Sequence, residues 1–209
     1  MKLLRKILYP LYHKFQVYKR KRYFLNNLNM NPLRIVVGSG KYYEKAWLPT
    51  DIEYLNMLEL NDWLKYFQPN SIDAILSEHV WEHLTEEQGQ IAANNCFEFL
   101  KPGAYLRLAV PDGYHASKDY IEYVKPGGKG PGASDHKILY NFDTLQLMLE
   151  RAGFQVLLIE GYLKDGIWIE KPWMTEDGMI KRSKRYKKMS PDRSFQITSI
   201  IVDACKPLI

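Results

Sequence analysis

The chain has 209 residues, room for one α/β domain with short additions but not for two full domains. Its 46% hydrophobic content supports a real core and excludes disorder over most of the length. The formal net charge of +5 is unevenly placed. No Asp or Glu precedes Glu44, a stretch that holds Lys2, Arg5, Lys6, Lys14, Lys19, Arg20, Lys21 and Arg22. A second basic cluster joins Lys181, Arg182, Lys184, Arg185, Lys187 and Lys188. Cys96 and Cys205 lie in apolar contexts without ligand-like spacing, as buried free thiols of a reducing cytosol would. No uninterrupted apolar run reaches signal-peptide or bilayer-spanning length, so the expected location is cytoplasmic, or peripheral to the inner membrane face.

Residues 1–30 read as a basic amphipathic helical segment ahead of a domain over 31–209. Leu3, Leu4, Ile7, Leu8 and Leu11 recur at helical spacing, Phe15 and Tyr18 continue one face, and Pro10 is expected to kink or split the helix. Such a segment either packs on the domain or docks, through residues 1–25, on an anionic membrane surface. After a linker at 29–32, Leu33, Ile35, Val36 and Val37 form a buried strand that meets a turn at Gly38-Ser39-Gly40. Strands are expected at 47–52, 57–60 and 72–76, then a helix over 86–100 stopped by Lys101-Pro102-Gly103. Another strand covers 104–110, a Gly- and Pro-rich loop 125–133, and a helix 142–152. The last strands fall at 154–159 and 197–202. Alternation of this kind implies a Rossmann-like, doubly wound, mostly parallel sheet with helices on both faces.

In an open α/β sheet, ligands bind beyond the carboxyl ends of the strands, so the residues that follow each strand are the candidates. Gly38, Ser39 and Gly40 permit a tight turn and close approach of a ligand to backbone N–H groups. Asp51, followed by Ile52, stands where a carboxylate can accept from both hydroxyls of an adenosine ribose. Its spacing from Gly40 is short of a dinucleotide fingerprint, and Tyr43 occupies the place of the third glycine, which argues against NAD. The densest constellation is Ser77-Glu78-His79-Val80-Trp81-Glu82-His83; a helix starting near Glu78 would put His79 and His83 on one face. Pro111-Asp112 follows the next strand, and Asp135-His136 precedes the helix at 142.

The run Ser71-Ile72-Asp73-Ala74-Ile75-Leu76-Ser77-Glu78-His79-Val80-Trp81-Glu82-His83-Leu84 resembles a segment of small class I S-adenosylmethionine-dependent methyltransferases. Leu100-Lys101-Pro102-Gly103-Ala104, the stretch Leu106 to Asp112, and Ala152-Gly153-Phe154 are similar to that family's later turns and strands. The resemblance spans roughly residues 33–205 and is nearest to a poorly characterised, methyltransferase type 11-like group. It implies an S-adenosylmethionine cofactor and an antiparallel last strand. Gly38 and Gly40 would then back the methionine portion and Asp51 hold the ribose. Asn61 or Asp62 would sit near adenine, and Ser77 and Glu78 would border the reactive methyl. Two departures touch the methionine amino group: Val36 replaces the acidic residue of the first strand, and Tyr42 the third glycine of the loop.

Methyl transfer from a sulfonium depends chiefly on orientation, with a base required when the acceptor is a hydroxyl. His79 is the first candidate for that base and His136 the second; His83 follows. The expected acceptor is an oxygen or nitrogen of a small molecule or saccharide, with Tyr114, Tyr120, Tyr123, Trp168 and Trp173 on the capping loops. Rival readings share the same residues. His79-x-x-Glu82-His83 matches a zinc-hydrolase signature, but it lies inside the longer methyltransferase pattern, and no metal site is expected. A non-catalytic, methyltransferase-like binding module is the second rival. Nucleic-acid methylation is disfavoured, because the basic clusters form no continuous stripe in the sequence.

Overall fold

The computed structural model describes residues 2–40, 45–162, 165, 167–186 and 199–208. Tyr42, Tyr43, Lys187 and Lys188, and the side chains of Leu3, Leu4, Ile7, Leu8, Leu11 and Trp168, lie outside the described residues. The elements are α1 (Lys2–Asn26), β1 (Arg34–Val36), β2 (Leu48–Pro49), α2 (Leu60–Leu64), β3 (Ile72–Glu78), α3 (Glu86–Phe99), β4 (Leu100–Pro111), α4 (Lys118–Val124), α5 (Phe142–Arg151), β5 (Gln155–Tyr162), β6 (Trp168–Glu170) and β7 (Ser199–Cys205).

One seven-stranded sheet has the order β2-β1-β3-β4-β7-β5-β6. Strands β2, β1, β3 and β4 pair in parallel, whereas β7 is antiparallel to both β4 and β5. The last strand is thus inserted between two earlier ones and runs against them. This is the expected Rossmann-like, mostly parallel α/β sheet. Strand β6 adds an antiparallel hairpin edge that the sequence pattern did not suggest.

Side chains alternate between the two faces, as period-two strands require. Ile72, Ile75, Leu106, Leu108, Val110, Ile200 and Val202 join Phe24 of α1, Ala92, Cys96 and Phe99 of α3, and Leu145 and Leu149 of α5 in the main core. Ala74, Leu76, Ala109, Ile159 and Ile201 point the other way, onto Trp47, Trp173 and Ile180. That second face, expected to carry helices, is covered among the described residues by the irregular segment 173–180. Arg107 holds the cover in place: it is 2% exposed and pairs with Asp203 through Nε–Oδ1 at 2.8 Å and Nη2–Oδ2 at 2.7 Å. Its Nη1 donates to the carbonyls of Met174 and Gly178, both at 3.1 Å.

Helix boundaries follow their caps. Thr85 and Gln88 form a capping box that opens α3, and Asn141 and Thr144 one that opens α5. Elsewhere the expected boundaries shift. Helix α1 continues through Pro10, which is exposed, so water can satisfy the carbonyl that loses its N–H partner. Phe15 and Tyr18 are exposed, while Arg20 and Phe24 form the buried edge of the helix. No strand forms at 57–60. The Met57 carbonyl accepts instead from Trp63 Nε1 at 3.1 Å and Asn95 Nδ2 at 2.9 Å, which bends this stretch into the start of α2. The expected strand at 47–52 shrinks to β2. Both cysteines are free, and burial pushes the thiol of Cys96 well above its ordinary pKa.

Candidate active site

The carboxyl ends of β1 and β3 meet at two turns. Gly38 and Gly40 have φ of +63° and +55°, a left-handed region that glycine enters without the Cβ penalty. A Cβ on Gly38 would stand 2.5 Å from Val80 Cγ2, so the two turns can touch only because that side chain is absent. At Gly40 a Cβ would meet none of the described residues within 4 Å. Ser39 N donates to Thr50 O at 2.9 Å, and the buried Ser39 Oγ has no hydrogen-bond partner among the described residues.

No helix starts at Glu78, so His79 and His83 do not share a helix face as expected. His79 itself adopts φ +56°, with its N–H donating to Ala109 O at 2.9 Å. A left-handed non-glycine residue costs of order 1–3 kcal/mol, and strain of this kind gathers at functional sites. A single 3-10 turn, Trp81–His83, follows. Trp81 is fully buried and donates from Nε1 to Gly89 O at 3.2 Å, which fixes the direction of its neighbours. The Glu82 carbonyl accepts from Lys137 N at 2.7 Å and so brings the 135–138 segment, with His136, against this turn.

A cavity of about 130 Å³ lies at the strand ends, lined by Val36, Gly38, Ser39, Glu78, His79 and the roof residues Met179, Lys181 and Arg182. The roof is tied down. Glu78 accepts from Lys181 N at 3.0 Å and from Arg182 N at 2.8 Å. Arg182 Nη1 lies 2.9 Å from His79 Nδ1, and His79 Nε2 lies 2.9 Å from Ser199 Oγ. Both ring nitrogens of His79 are therefore engaged. Glu82 Oε1 is also 2.8 Å from His79 Nδ1, yet neither Glu82 oxygen receives a hydrogen bond of good geometry. Burial opposes ionisation of Glu82, but the contact and charge of His79 and the nearby His83 outweigh it and lower its pKa.

The fold gathers Gly38, Ser39, Glu78 and His79 around this cavity, as the sequence predicts. Ser77 is buried in β3 beneath it, with an unpartnered Oγ. His136 is 9% exposed and lines a second cavity of about 250 Å³ with Pro111, Tyr123, Val124 and Arg182. Arg182 therefore borders both spaces. Gly40, like Ser77, lines neither cavity, and four more expected residues stand apart from both. Asp51 is 3.4 Å from Arg20 Nη1 and accepts from Ile52 N at 2.9 Å, and the Ile52 side chain is 69% exposed. Asp62 accepts from Asn56 N at 2.9 Å, and Asn61 is exposed on α2. Among the capping aromatics, Tyr120 and Trp173 are buried, and Trp173 packs between the guanidinium groups of Arg107 and Arg185. Tyr123 remains exposed.

The sequence reading missed the roof. Arg182 belongs to a basic cluster, and nothing in that pattern distinguishes a roof from a solvated surface. It also treated Glu82 only as part of a short motif.

S-adenosylmethionine would be accommodated in part. The glycine turns and the orphaned Ser39 hydroxyl form a cradle at the right edge of the sheet. The cavity, however, is smaller than the ~300–1,000 Å³ of ordinary ligand pockets, and the chain itself occupies Asp51 and Glu78. With the roof tied to Glu78, the cavity is too small for the whole molecule.

No family model and no curated protein matches the sequence. Solved structures do align with it. A SAM-dependent methyltransferase from Archaeoglobus fulgidus is 16% identical, over 95% of this chain and 99% of its own, with a TM-score of 0.49. A SAM-dependent methyltransferase from Thermotoga maritima, described as a possible histamine N-methyltransferase, is 12% identical over 97% of both chains, with a TM-score of 0.49. Phosphoethanolamine N-methyltransferase 2 of Haemonchus contortus, in complex with S-adenosyl-L-methionine, is 12% identical over 91% of this chain and 53% of its own, with a TM-score of 0.42.

Proposed function

We propose that this chain is an S-adenosylmethionine-dependent methyltransferase that moves a methyl group to an oxygen or nitrogen of a small or saccharide acceptor. The observation that carries the reading is the left-handed Gly38-Ser39-Gly40 turn facing His79 across the ends of two adjacent parallel strands. The motif run from Ser71 to Leu84 supports it, since that run builds β3 and the turn that holds His79 and Glu82. S-adenosylmethionine, when bound, supplies an electrophilic methyl group. The protein's part is to hold the acceptor in line with that methyl and to exclude water.

Withdrawal of the 179–182 roof does two things at once. It enlarges the cavity, and it removes the Arg182 donor from His79 Nδ1. Glu82 Oε1 remains 2.8 Å from that nitrogen and holds the ring beside the acceptor. Ser199 stays on Nε2 and orients the ring. The acceptor would approach from the second cavity, where Tyr123 offers an aromatic surface.

Calorimetric titration of S-adenosylhomocysteine tests the reading. Micromolar binding is expected, and Asp51→Ala should weaken it about 10- to 100-fold, as loss of a charged hydrogen bond worth about 1.5–3 kcal/mol implies. Arg20→Ala, which frees Asp51 from its pair, should bind at least as tightly as the parent. Absence of binding in both the folded parent and Arg20→Ala would sink the methyltransferase reading. The non-catalytic module, already favoured by the closed roof and small cavity, would then take its place.

A second reading concerns α1. Tyr12, Phe15, Tyr18, Tyr23 and Leu25 are exposed beside Lys14, Lys19, Lys21 and Arg22. An apolar, basic, solvent-facing helix suits an anionic bilayer surface. No helix of the described residues is long and apolar enough to cross one. Phosphatidylserine vesicles should float the intact chain, and the double change Phe15→Ser, Tyr18→Ser should leave it with the lipid-free fraction. Equal recovery of both proteins without lipid would remove the membrane from the account.

A further inference from the structure

We propose that Glu82, His83 and His136 form a binding site for a divalent transition-metal ion of the Zn²⁺ class. The ligand atoms of these three residues lie within 4.8 Å of one another, and they form the only such convergence among the described residues. The sequence motif suggests a different pair, His79 with His83. His79 is turned away to Ser199 and Arg182, and His136 takes its place from a segment more than fifty residues downstream.

Three independent features point to a cation. First, Glu82 is 1% exposed, and among the described residues its Oε2 has neither a hydrogen-bond donor nor an ion-pair partner; Oε1 leans on His79. A buried carboxylate oxygen in that state is costly unless something positive meets it. Second, each histidine is oriented through its other nitrogen. His136 Nδ1 donates to Val124 O at 2.7 Å, and His83 Nδ1 contacts Asp135 Oδ2 at 3.2 Å. Carbonyl and carboxylate partners on Nδ1 are what metal-bound histidines use to aim the Nε2 lone pair at the ion. Third, the two rings stand edge to face with centroids 4.8 Å apart, so neither blocks the other's approach.

Two histidines and a carboxylate suit Zn²⁺ and its neighbours Co²⁺, Mn²⁺ and Fe²⁺ better than Ca²⁺ or Mg²⁺, which prefer all-oxygen shells. Tetrahedral metal–ligand distances of about 2.0–2.2 Å require the widest pair to close by up to roughly 1.4 Å. His83 can supply that movement, because its side chain is 33% exposed and its partner Asp135 69% exposed. Three protein ligands beside the cavity lined by His136 leave a fourth position open, the arrangement of reactive rather than purely structural zinc sites. The site does not depend on methyl transfer, and its test reads metal rather than turnover.

Tag-free protein stripped with EDTA and dialysed would be titrated with Co²⁺, followed by visible absorption, and then with Zn²⁺ in competition. One Co²⁺ per chain with the strong bands of a four-coordinate ion is expected, displaced stoichiometrically by Zn²⁺. His83→Ala and His136→Ala should each weaken binding at least about 100-fold, and the surface change Asp135→Asn about 10-fold. His115→Ala, outside the cluster, should bind as the parent does. Circular dichroism separates lost ligation from lost fold, and Asp135→Asn carries the test should His136→Ala unfold. Failure of the folded parent to bind Co²⁺ saturably, or equal binding by parent, His83→Ala and Asp135→Asn, would overturn the site.

Discussion

Asp203→Ala lowers the stability of the fold by about 3–5 kcal/mol, the usual cost of stranding a buried charge by removing its partner. Arg107 is 2% exposed and receives both Asp203 oxygens in a bidentate pair across β4 and β7. Alanine leaves the guanidinium in place without its counter-charge. For a chain of this size the loss corresponds to a fall in Tm of roughly 10 °C. The comparison that gives the result meaning is the double change Arg107→Met, Asp203→Leu. Replacing a buried pair by apolar side chains is often neutral, so the double variant should recover most of the loss. It should not recover the cover of the second face, because Arg107 Nη1 also holds the carbonyls of Met174 and Gly178. Amide hydrogen exchange should therefore quicken at 174–182 in the double variant while the strands stay protected. Unchanged exchange there would mean that Glu78, Tyr105 and Arg34 hold the cover without Arg107.

That coupling shows why the site was only partly legible in the sequence. Local signals sufficed for β3, α3 and α5, whose apolar period and capping residues lie within a few positions of each other. They sufficed also for Gly38 and Gly40, since a strand running into Gly-x-Gly needs a left-handed turn. Contacts across long stretches of chain decided the rest. Met57 and Leu58 look like a strand, but Trp63 and Asn95 claim the Met57 carbonyl. Asp51 looks free for a ribose until Arg20 reaches it from α1, 31 positions away. The 179–182 roof has no periodicity to betray it. It is placed by backbone N–H groups on Glu78, more than a hundred positions earlier, and backbone donors leave no trace in residue type. His79 illustrates the same limit from the other side. Its residue type suggests a base, but in the fold both ring nitrogens are engaged.

Gly38→Val and Gly40→Ala should divide stability from ligand binding at one turn. At Gly38 a Cβ would lie 2.5 Å from Val80 Cγ2, in a backbone conformation of φ +63°. Valine adds branches to that clash, and β-branched residues resist positive φ most strongly. The Val80 turn must shift, and with it His79, so Gly38→Val is expected to abolish S-adenosylhomocysteine binding and to destabilise the fold by several times the cost of φ alone. Gly40→Ala meets none of the described residues, and its stability loss should stay near the ~1 kcal/mol expected for an L-residue held at φ +55°. Its affinity for the ligand should nevertheless fall about 10-fold or more, because Gly40 is where a ligand would approach the backbone. Thermal melts and calorimetry on the two proteins separate the effects. If Gly40→Ala binds as tightly as the parent, the glycine turn serves the chain and not a ligand, and the methionine cradle must be sought elsewhere along the strand ends.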